Sequence, residues 1–217
     1  MNFKKINLLV VGAHKDKGAY GGVVNFSNKL LENLSKANVT SHYFSFGKSP
    51  KWYKSKHKIS KIRYRLNHLK KALDFCRLIK DNGINVVHFN SGFERNSLLR
   101  HGFFSLLAII CGCKTVYYVH GWREYLYIKI KSNFIFKRAL FYQLNLQTKL
   151  IVSSKERLDK IVDLGISQTK ITTSTTMTDV EDYLCKKITP YHKIKCLFCS
   201  HLIRQKGIYE FIYSAKK

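Results

Sequence analysis

The sequence has few acidic residues and few prolines, and its apolar runs are short. Only 13 Asp and Glu stand against 39 Lys and Arg, and the formal net charge of +26 favours polyanionic partners: nucleic acid, anionic lipid head groups or phosphate-bearing substrates. Two prolines in 217 residues exclude a proline-rich or linker-type chain. The apolar runs at positions 6–11 and 103–111 are too short for a signal-peptide core and a membrane-spanning helix, respectively. We therefore expect a cytoplasmic protein.

The composition is that of a globular chain. Hydrophobic residues make up 45% of it, enough to form the core of one large domain, or of one domain and part of another. A chain of this size does not need disulfides, and its cysteine pairs lack the partners that a zinc site requires. We expect no metal ion, and buried or half-buried free thiols at Cys76, Cys111, Cys113, Cys185, Cys196 and Cys199.

Short apolar runs alternate with amphipathic helical patterns along most of the chain. Strands are predicted at about positions 6–11, 41–46, 84–89, 114–119, 149–152 and 170–174. Helices are predicted at about 22–36, 59–80, 98–110, 124–146 and 154–164, with a short one after Asp179. Strands that alternate with helices indicate an α/β fold with a doubly wound parallel sheet.

The pattern breaks at positions 186–193, where Pro190 lies among charged residues. We therefore predict a Rossmann-like domain at 1–185, a linker at 186–193, and the start of a second domain at 194–217. That second segment has one predicted strand, at 194–199, and one helix from about Lys206. A single βα unit cannot bury both faces of its strand, so we expect the domain to be incomplete within this sequence.

Ligands of open α/β sheets bind at the carboxyl ends of the strands, where three segments are unusual. After the first strand, Gly21 and Gly22 precede a helix, and free N–H groups at a helix start favour a phosphate or a sugar hydroxyl. This segment is neither a G-x-G-x-x-G motif nor a P-loop, which argues against dinucleotide and NTP binding. The alternative for the glycine pair is a tight turn without a ligand.

The other two segments contain histidine. His120, followed by glycine, ends the fourth strand and is a candidate site residue, although a lone histidine is more often structural. His88, at the end of the third strand, is adequately explained by packing or capping. In the last segment, Arg204 and Lys206 form a candidate diphosphate clamp before a helix, and the alternative is a solvated basic loop.

Taken in order, these segments resemble the glycosyltransferase family 4 group of GT-B enzymes. The resemblance rests on six features: Gly21-Gly22 before a helix, Val86-Val-His88, His120-Gly121, the strand–Ser–helix–Leu-Gly run at 151–165, the turn at Thr176–Asp179, and Ser200–Gly207. His201 stands where that family has Arg, and Thr176-Met177 where it has Asn-Gly. The family's donor-sugar Glu motif lies in a later part of the second domain, which this sequence does not contain.

The resemblance implies a GT-B N-terminal, acceptor-side domain and the first βα unit of a nucleotide-sugar domain. It implies transfer of a sugar from a nucleotide-sugar donor without a metal or cofactor. Lys206, with His201 or Arg204, would stabilise the leaving diphosphate, and His120 would orient the sugar as the catalytic-site histidine. Gly21, Gly22 and Asp179 would complete the substrate site. We expect no turnover by this polypeptide alone.

The acceptor is indicated by charge. Positions 48–80 carry a large excess of Lys and Arg interleaved with Trp52, Tyr53 and Tyr64, a pattern suited to an anionic membrane and a lipid-phosphate acceptor. We therefore expect a lipid-linked or polysaccharide acceptor and peripheral attachment to the inner face of the membrane. Two alternatives stay open: a basic nucleic-acid-binding module, which lacks any known recognition motif here, and a non-catalytic partner or remnant subunit.

Overall fold

The structure is a computed structural model that describes residues 6–12, 22–37, 39–46, 58–175, 197–198, 204 and 207–215, with the side chains of 58–66 and 215 excepted. The chain divides into two compact units, Met1–Thr178 and Asp179–Lys217. The predicted short helix after Asp179 and the predicted linker at 186–193 lie outside the described residues.

The first unit alternates strands and helices. Its strands are β1 (Asn7–Gly12), β2 (Thr40–Ser45), β3 (Val86–Gly92), β4 (Lys114–Gly121), β5 (Lys149–Val152) and β6 (Ile171–Thr173). Its helices are α1 (Gly22–Lys36), α2 (Lys58–Asp81), α3 (Arg95–Ile110), α4 (Glu124–Lys131), α5 (Phe134–Asn145) and α6 (Lys155–Asp163), and a 3₁₀ turn at Gln168–Lys170 precedes β6.

The six strands form one parallel sheet in the order β2-β1-β3-β4-β5-β6. The chain moves outward from β1 to β2 and then reverses to β3 on the other side of β1. This reversal creates a topological switch point between β1 and β3, the place where doubly wound sheets bind ligands. The predicted fold class, α/β with a parallel Rossmann-like sheet, is confirmed.

The main core lies on one face of the sheet, beneath α2 to α6. Leu9, Val87, Phe89 and Tyr117 project from the strands into this core and are completely buried. Central parallel strands are covered on both faces, which is why they consist of apolar runs rather than alternating residues. The opposite face is covered by α1, whose Phe26 ring packs edge-on against the Tyr118 ring at 4.9 Å. The chain moves in one direction along the sheet through α1 and in the opposite direction through the later helices. Right-handed crossovers therefore place α1 on the other face of the sheet.

Local sequence explains most of the element ends. Gly83 ends α2 with φ at 57°, and Gly165 follows α6 with φ at 99°, both left-handed conformations that glycine adopts at low cost. Ser154 caps α6, because its hydroxyl accepts a hydrogen bond from Arg157 N, as predicted for this position. The predicted helical stretch at 124–146 is two helices. It breaks at Ser132, and Asn133 caps the second helix by accepting from Phe136 N.

The second unit is described only in part. Leu197 and Phe198 belong to neither a helix nor a strand, and the rest of the strand predicted at 194–199 lies outside the described residues. Helix α7 (Ile208–Ala215) follows Gly207, whose φ is 80°. Its Phe211 ring lies 5.3 Å from that of Phe198. This ring pair is an aromatic contact within the second unit.

Two further findings concern cysteine and membranes. Cys76, Cys111 and Cys113 carry free thiols, and the other three cysteines lie outside the described residues. No helix within the described ranges is both long enough and apolar enough to cross a bilayer.

Candidate functional site

The candidate site lies at the carboxyl ends of β1, β3 and β4, beside the switch point. Gly12 ends β1, Asn90 lies near the end of β3, and His120 lies near the end of β4. Because all three strands are parallel, their carboxyl ends reach the same edge of the sheet. Helix α1, the next described element along the chain after β1, covers these residues from one face.

A chain of hydrogen bonds joins the three elements. Ser27 Oγ on α1 donates to Val23 O at 2.9 Å and accepts from Asn90 Nδ2 at 3.0 Å. Asn90 Oδ1 lies 3.2 Å from His120 Nε2. An amide oxygen can only accept, so His120 Nε2 carries the hydrogen and the neutral ring keeps its lone pair on Nδ1. Asn90 and Ser27 therefore fix the tautomer and the orientation of His120.

Gly12 is needed for this close approach. A Cβ atom at this position would lie 3.2 Å from Ser27 Oγ and 3.3 Å from Asn90 Cβ, closer than side chains normally pack. A larger residue would require Asn90 or Ser27 to shift by a few tenths of an ångström. The Tyr43 hydroxyl donates to the Gly12 carbonyl at 2.5 Å and ties β1 to β2 at the same level.

His120 sits at an irregularity of the sheet. Ser91 of β3 pairs with Val119, and Gly92 pairs with Gly121, so His120 has no partner residue on β3. An extra residue of this kind bends a strand and redirects its side chain, and such bulges are frequent beside active sites. Arg157 of α6 holds the bulge from the other side, because its Nη1 atom donates to the His120 carbonyl at 2.9 Å.

The surroundings keep the His120 ring neutral. It lies 3.9 Å from the Tyr118 ring and 4.4 Å from the Phe26 ring, centroid to centroid. Burial, followed by the nearby His88 and Arg157, lowers the pKa of His120 to about 4. At neutral pH this histidine is therefore a hydrogen-bonding group rather than a charge or a strong base.

His88 lies behind His120 on the same face of the sheet. It is almost completely buried, and burial lowers its pKa to about 4. Its Nδ1 atom has no hydrogen-bond partner in the described part of the chain. If both rings were protonated, their positive charges would repel each other, which favours two neutral imidazoles. Packing of the ring accounts for the buried position of His88 but does not explain why its Nδ1 atom has no hydrogen-bond partner among the described residues.

The arrangement can accept a hydrogen bond from a ligand. His120 Nδ1 makes no hydrogen bond with any described residue, and unlike His88 Nδ1 it is not sealed from solvent. A neutral imidazole nitrogen at a strand's carboxyl end can accept from the hydroxyl group of a sugar. With a pKa of about 4, the ring is too weak a base to remove a hydroxyl proton efficiently near pH 7.

Of the predicted site residues, His120 lies at the switch point and Gly22 is the first residue of α1. Gly22 is exposed, and a Cβ atom there would meet nothing within 4 Å among the described residues, so packing does not require glycine at this position. Arg204 is exposed in the second unit. The other predicted residues lie outside the described residues: Gly21, Asp179, His201 and Lys206.

The sequence did not single out Gly12, Ser27 or Asn90. Asn90 carried a signal, because it is a polar residue at the carboxyl end of the third strand. Ser27 carried none, since serine on a helix is usually exposed, and here it is completely buried. Their pairing joins residues 63 positions apart and depends on how α1 is placed over β3.

Asn90→Asp is expected to raise the pKa of His120. A carboxylate oxygen would then face His120 Nε2, and an opposite charge at hydrogen-bonding distance raises a histidine pKa by about 1–3 units. The measurement is an NMR titration of the histidine ring protons, with His120→Gln to assign the resonance. Asn133→Asp, at the exposed start of α5, is the matched control and should leave the His120 pKa unchanged. An unaltered His120 pKa in Asn90→Asp would contradict the hydrogen bond.

The comparisons with known proteins bear on the fold. No protein-family model matches the chain, and no curated protein sequence does. Among solved structures, the Anabaena protein Alr3699/HepE in complex with UDP-glucose is similar at a TM-score of 0.52 with 11% sequence identity. The similarity covers 82% of this chain and 46% of the Anabaena chain, so this chain spans less than half of that protein's length.

Two further structures are similar at lower TM-scores. The same Anabaena protein with UDP and glucose gives 0.46 at 11% identity, over 82% of this chain and 46% of the other. UDP-GlcNAc 2-epimerase from Methanocaldococcus jannaschii gives 0.44 at 13% identity, over 78% and 45%. At 11% identity, the similarity to the UDP-glucose complex shows a shared α/β fold and does not by itself assign chemistry.

Proposed function

We propose that this chain is the acceptor-side part of a nucleotide-sugar-dependent glycosyltransferase, which transfers a sugar to a lipid-linked or polysaccharide acceptor. The observation that carries the proposal is the neutral His120 held by Asn90 at the switch point, with Nδ1 left to accept a hydrogen bond. The similarity of the fold to a protein solved with UDP-glucose supports the same class of ligand.

His120 would act by orienting the donor sugar. Its Nδ1 atom accepts from a sugar hydroxyl, while Asn90 and Ser27 prevent the ring from turning. Because the ring nitrogen is fixed, the bound sugar presents its anomeric carbon to the hydroxyl of the acceptor substrate. This positioning reduces the entropy lost at the transition state. His120 thus contacts the substrate without forming a bond to it.

The departing diphosphate requires positive charge. The acceptor oxygen bonds to the anomeric carbon as the bond from that carbon to the diphosphate oxygen breaks. The diphosphate takes up the negative charge that develops, and the hydroxyl proton passes to the diphosphate or to water. His120 cannot supply that charge, because burial keeps it neutral. The proposal therefore assigns the diphosphate to Lys206 with Arg204 or His201, without a metal ion. Gly21 and Gly22 would contribute to the substrate site. Asp179 would bind another part of the substrate.

His120→Ala is expected to weaken nucleotide-sugar binding. Loss of one neutral hydrogen bond costs about 0.5–1.5 kcal/mol, so the dissociation constant for UDP-glucose should rise by roughly three- to tenfold. Isothermal titration calorimetry on the full chain, with UDP- and GDP-sugars in turn, is the measurement. His120→Gln retains a hydrogen-bonding side chain and should recover part of the affinity.

Tyr125→Ala serves as the control, since Tyr125 is an exposed aromatic residue on α4. It should leave binding unchanged. If the full chain binds every nucleotide sugar as weakly as it binds the sugar alone, the proposed function is wrong. If it binds them but His120→Ala changes nothing, the function stands and the role of His120 is wrong.

A further inference from the structure

Helix α5 carries apolar residues on the side that faces away from the core. Leu140 and Leu144 are buried and define its inner side. On the opposite side, Ile135 is 74% exposed, Tyr142 50% and Leu146 53%. A helix on a protein surface normally presents polar residues there, and a wide apolar outer side marks a contact with something else.

Further exposed apolar residues lie at the start of α5 and on α4. Phe134 and Phe136, at the start of α5, are 72% and 47% exposed, and Ile128 on the preceding α4 is 58% exposed. Because α4 and α5 are joined by a short turn, their exposed apolar residues form what we call the α4–α5 surface. It consists of Tyr125, Ile128, Phe134, Ile135, Phe136, Tyr142 and Leu146, with the cations described next.

The charges within this surface are positive. Lys137 and Arg138 are the charged residues of α5, which contains no carboxylate. The Arg138 guanidinium donates to the Tyr142 hydroxyl at 3.0 Å and lies 5.9 Å above the Phe134 ring. Aromatic rings beside cations suit the boundary between lipid head groups and acyl chains, since the rings enter the apolar layer while the cations meet phosphates.

A pocket opens within the same surface. Its volume is about 350 Å³ and its lining is Phe134, Lys137, Arg138, Phe141, Tyr142 and Leu164. The walls are aromatic and aliphatic, and two of the six lining side chains are cationic. This combination fits the upper part of an acyl chain with an anionic head group above it.

We propose that the α4–α5 surface docks on an anionic phospholipid bilayer, with Phe134 and Ile135 in the interfacial layer and Lys137 and Arg138 on lipid phosphates. The proposal rests on the membrane-associated acceptor of the proposed function and names the surface that reaches it. Charge complementarity favours a bilayer over a protein partner, because the cations are combined with apolar side chains rather than with polar ones. The net charge of +26 acts in the same direction.

The experiment measures sedimentation of the full chain with phosphatidylglycerol–phosphatidylcholine vesicles and with phosphatidylcholine vesicles alone. Lys137→Gln with Arg138→Gln should weaken partition onto the anionic vesicles by about 10- to 30-fold, since each engaged cation contributes about a fivefold factor. Phe134→Ser with Ile135→Ser should weaken it by about tenfold or more. Circular dichroism verifies that both variants are folded.

Matched controls remove the same kinds of side chain at other places on the surface. Lys36→Gln with Lys114→Gln removes two cations elsewhere, and Ile6→Ser with Leu197→Ser removes two apolar residues outside α4 and α5 that are 52% and 87% exposed. Both should retain partition within about twofold. A third variant, with Lys51, Lys54, Lys56 and Lys58 changed to Gln, measures the contribution of the basic segment that the sequence predicts to bind membranes.

Three outcomes would overturn the proposal: equal partition of the α5 variants and their controls, no difference between anionic and neutral vesicles, or a change in oligomeric state without a change in partition. The last would indicate that a second copy of the chain covers this surface. None of these measurements uses a nucleotide sugar. Failure here therefore leaves the UDP-glucose binding test of the proposed function unaffected.

Discussion

Phe104→Ala is expected to lower the free energy of unfolding by about 3–5 kcal/mol, because it removes a buried aromatic ring and leaves a cavity. Phe104 is 1% exposed, and its ring lies 4.7 Å from that of Phe46 and 5.1 Å from that of Phe75. These rings meet edge-on between α2, α3 and the end of β2. Urea unfolding followed by circular dichroism measures the loss.

Phe103→Ala is the matched control. Phe103 precedes Phe104 on the same helix but is 50% exposed, so its removal should cost less than about 1 kcal/mol. The two variants change the same residue type at adjacent positions of the same helix, so they differ mainly in how deeply the ring is buried. Equal losses in the two variants would mean that α3 packs on the sheet through its other side.

The order of the elements could be predicted because each strand is a short apolar run between helical patterns. The strand predicted at positions 149–152 is found as Lys149–Val152, and Ser154 caps the helix after it as predicted. Such features depend on neighbouring residues alone. Strands buried on both faces also give the strongest apolar signal in a sequence.

Features that depend on distant residues could not be predicted. The bulge at His120 follows from the pairing of β4 with β3, and an apolar run that is buried on both faces does not fix that register. The break between α4 and α5 was also missed, because Ser132 and Asn133 interrupt an otherwise continuous helical pattern for only two residues. Asn133 caps the new helix locally, so this feature was within reach of the sequence.

The candidate site also has one part that the sequence predicts and another that depends on distant residues. Topology alone places a strand-end residue such as His120 at the binding edge of the sheet. The residues that hold it, Asn90 and Ser27, become neighbours only when α1 covers β3. The sequence likewise predicts a chain rich in positive charge, whereas the structure surrounds His120 with rings that keep it neutral.

Neutral histidines within a chain of charge +26 have a further consequence. His88 and His101 are both buried among rings, and burial lowers their pKa values to about 4 and about 3. In the unfolded chain both would titrate near the ordinary value of ~6.5. The unfolded state therefore binds more protons than the folded state throughout the range between these values, and acid favours unfolding.

Lowering the pH from 7 to 5 is accordingly expected to reduce the free energy of unfolding by on the order of 5 kcal/mol. His88, His101 and His120, whose pKa is also lowered to about 4, contribute similar shares. The stability they provide is present above the ordinary histidine pKa and is lost as the pH falls toward about 4. Hydrogen bonds from Lys131 and Lys160 lower the pKa values of Asp163 and Glu124, and the stability that these carboxylates contribute is lost mainly below about pH 5. Urea unfolding at half-unit intervals of pH gives the slope. His101→Phe, which places a ring among Phe46, Phe89 and Tyr117, should remove about a third of the loss, and a slope unchanged by it would refute the assignment to His101.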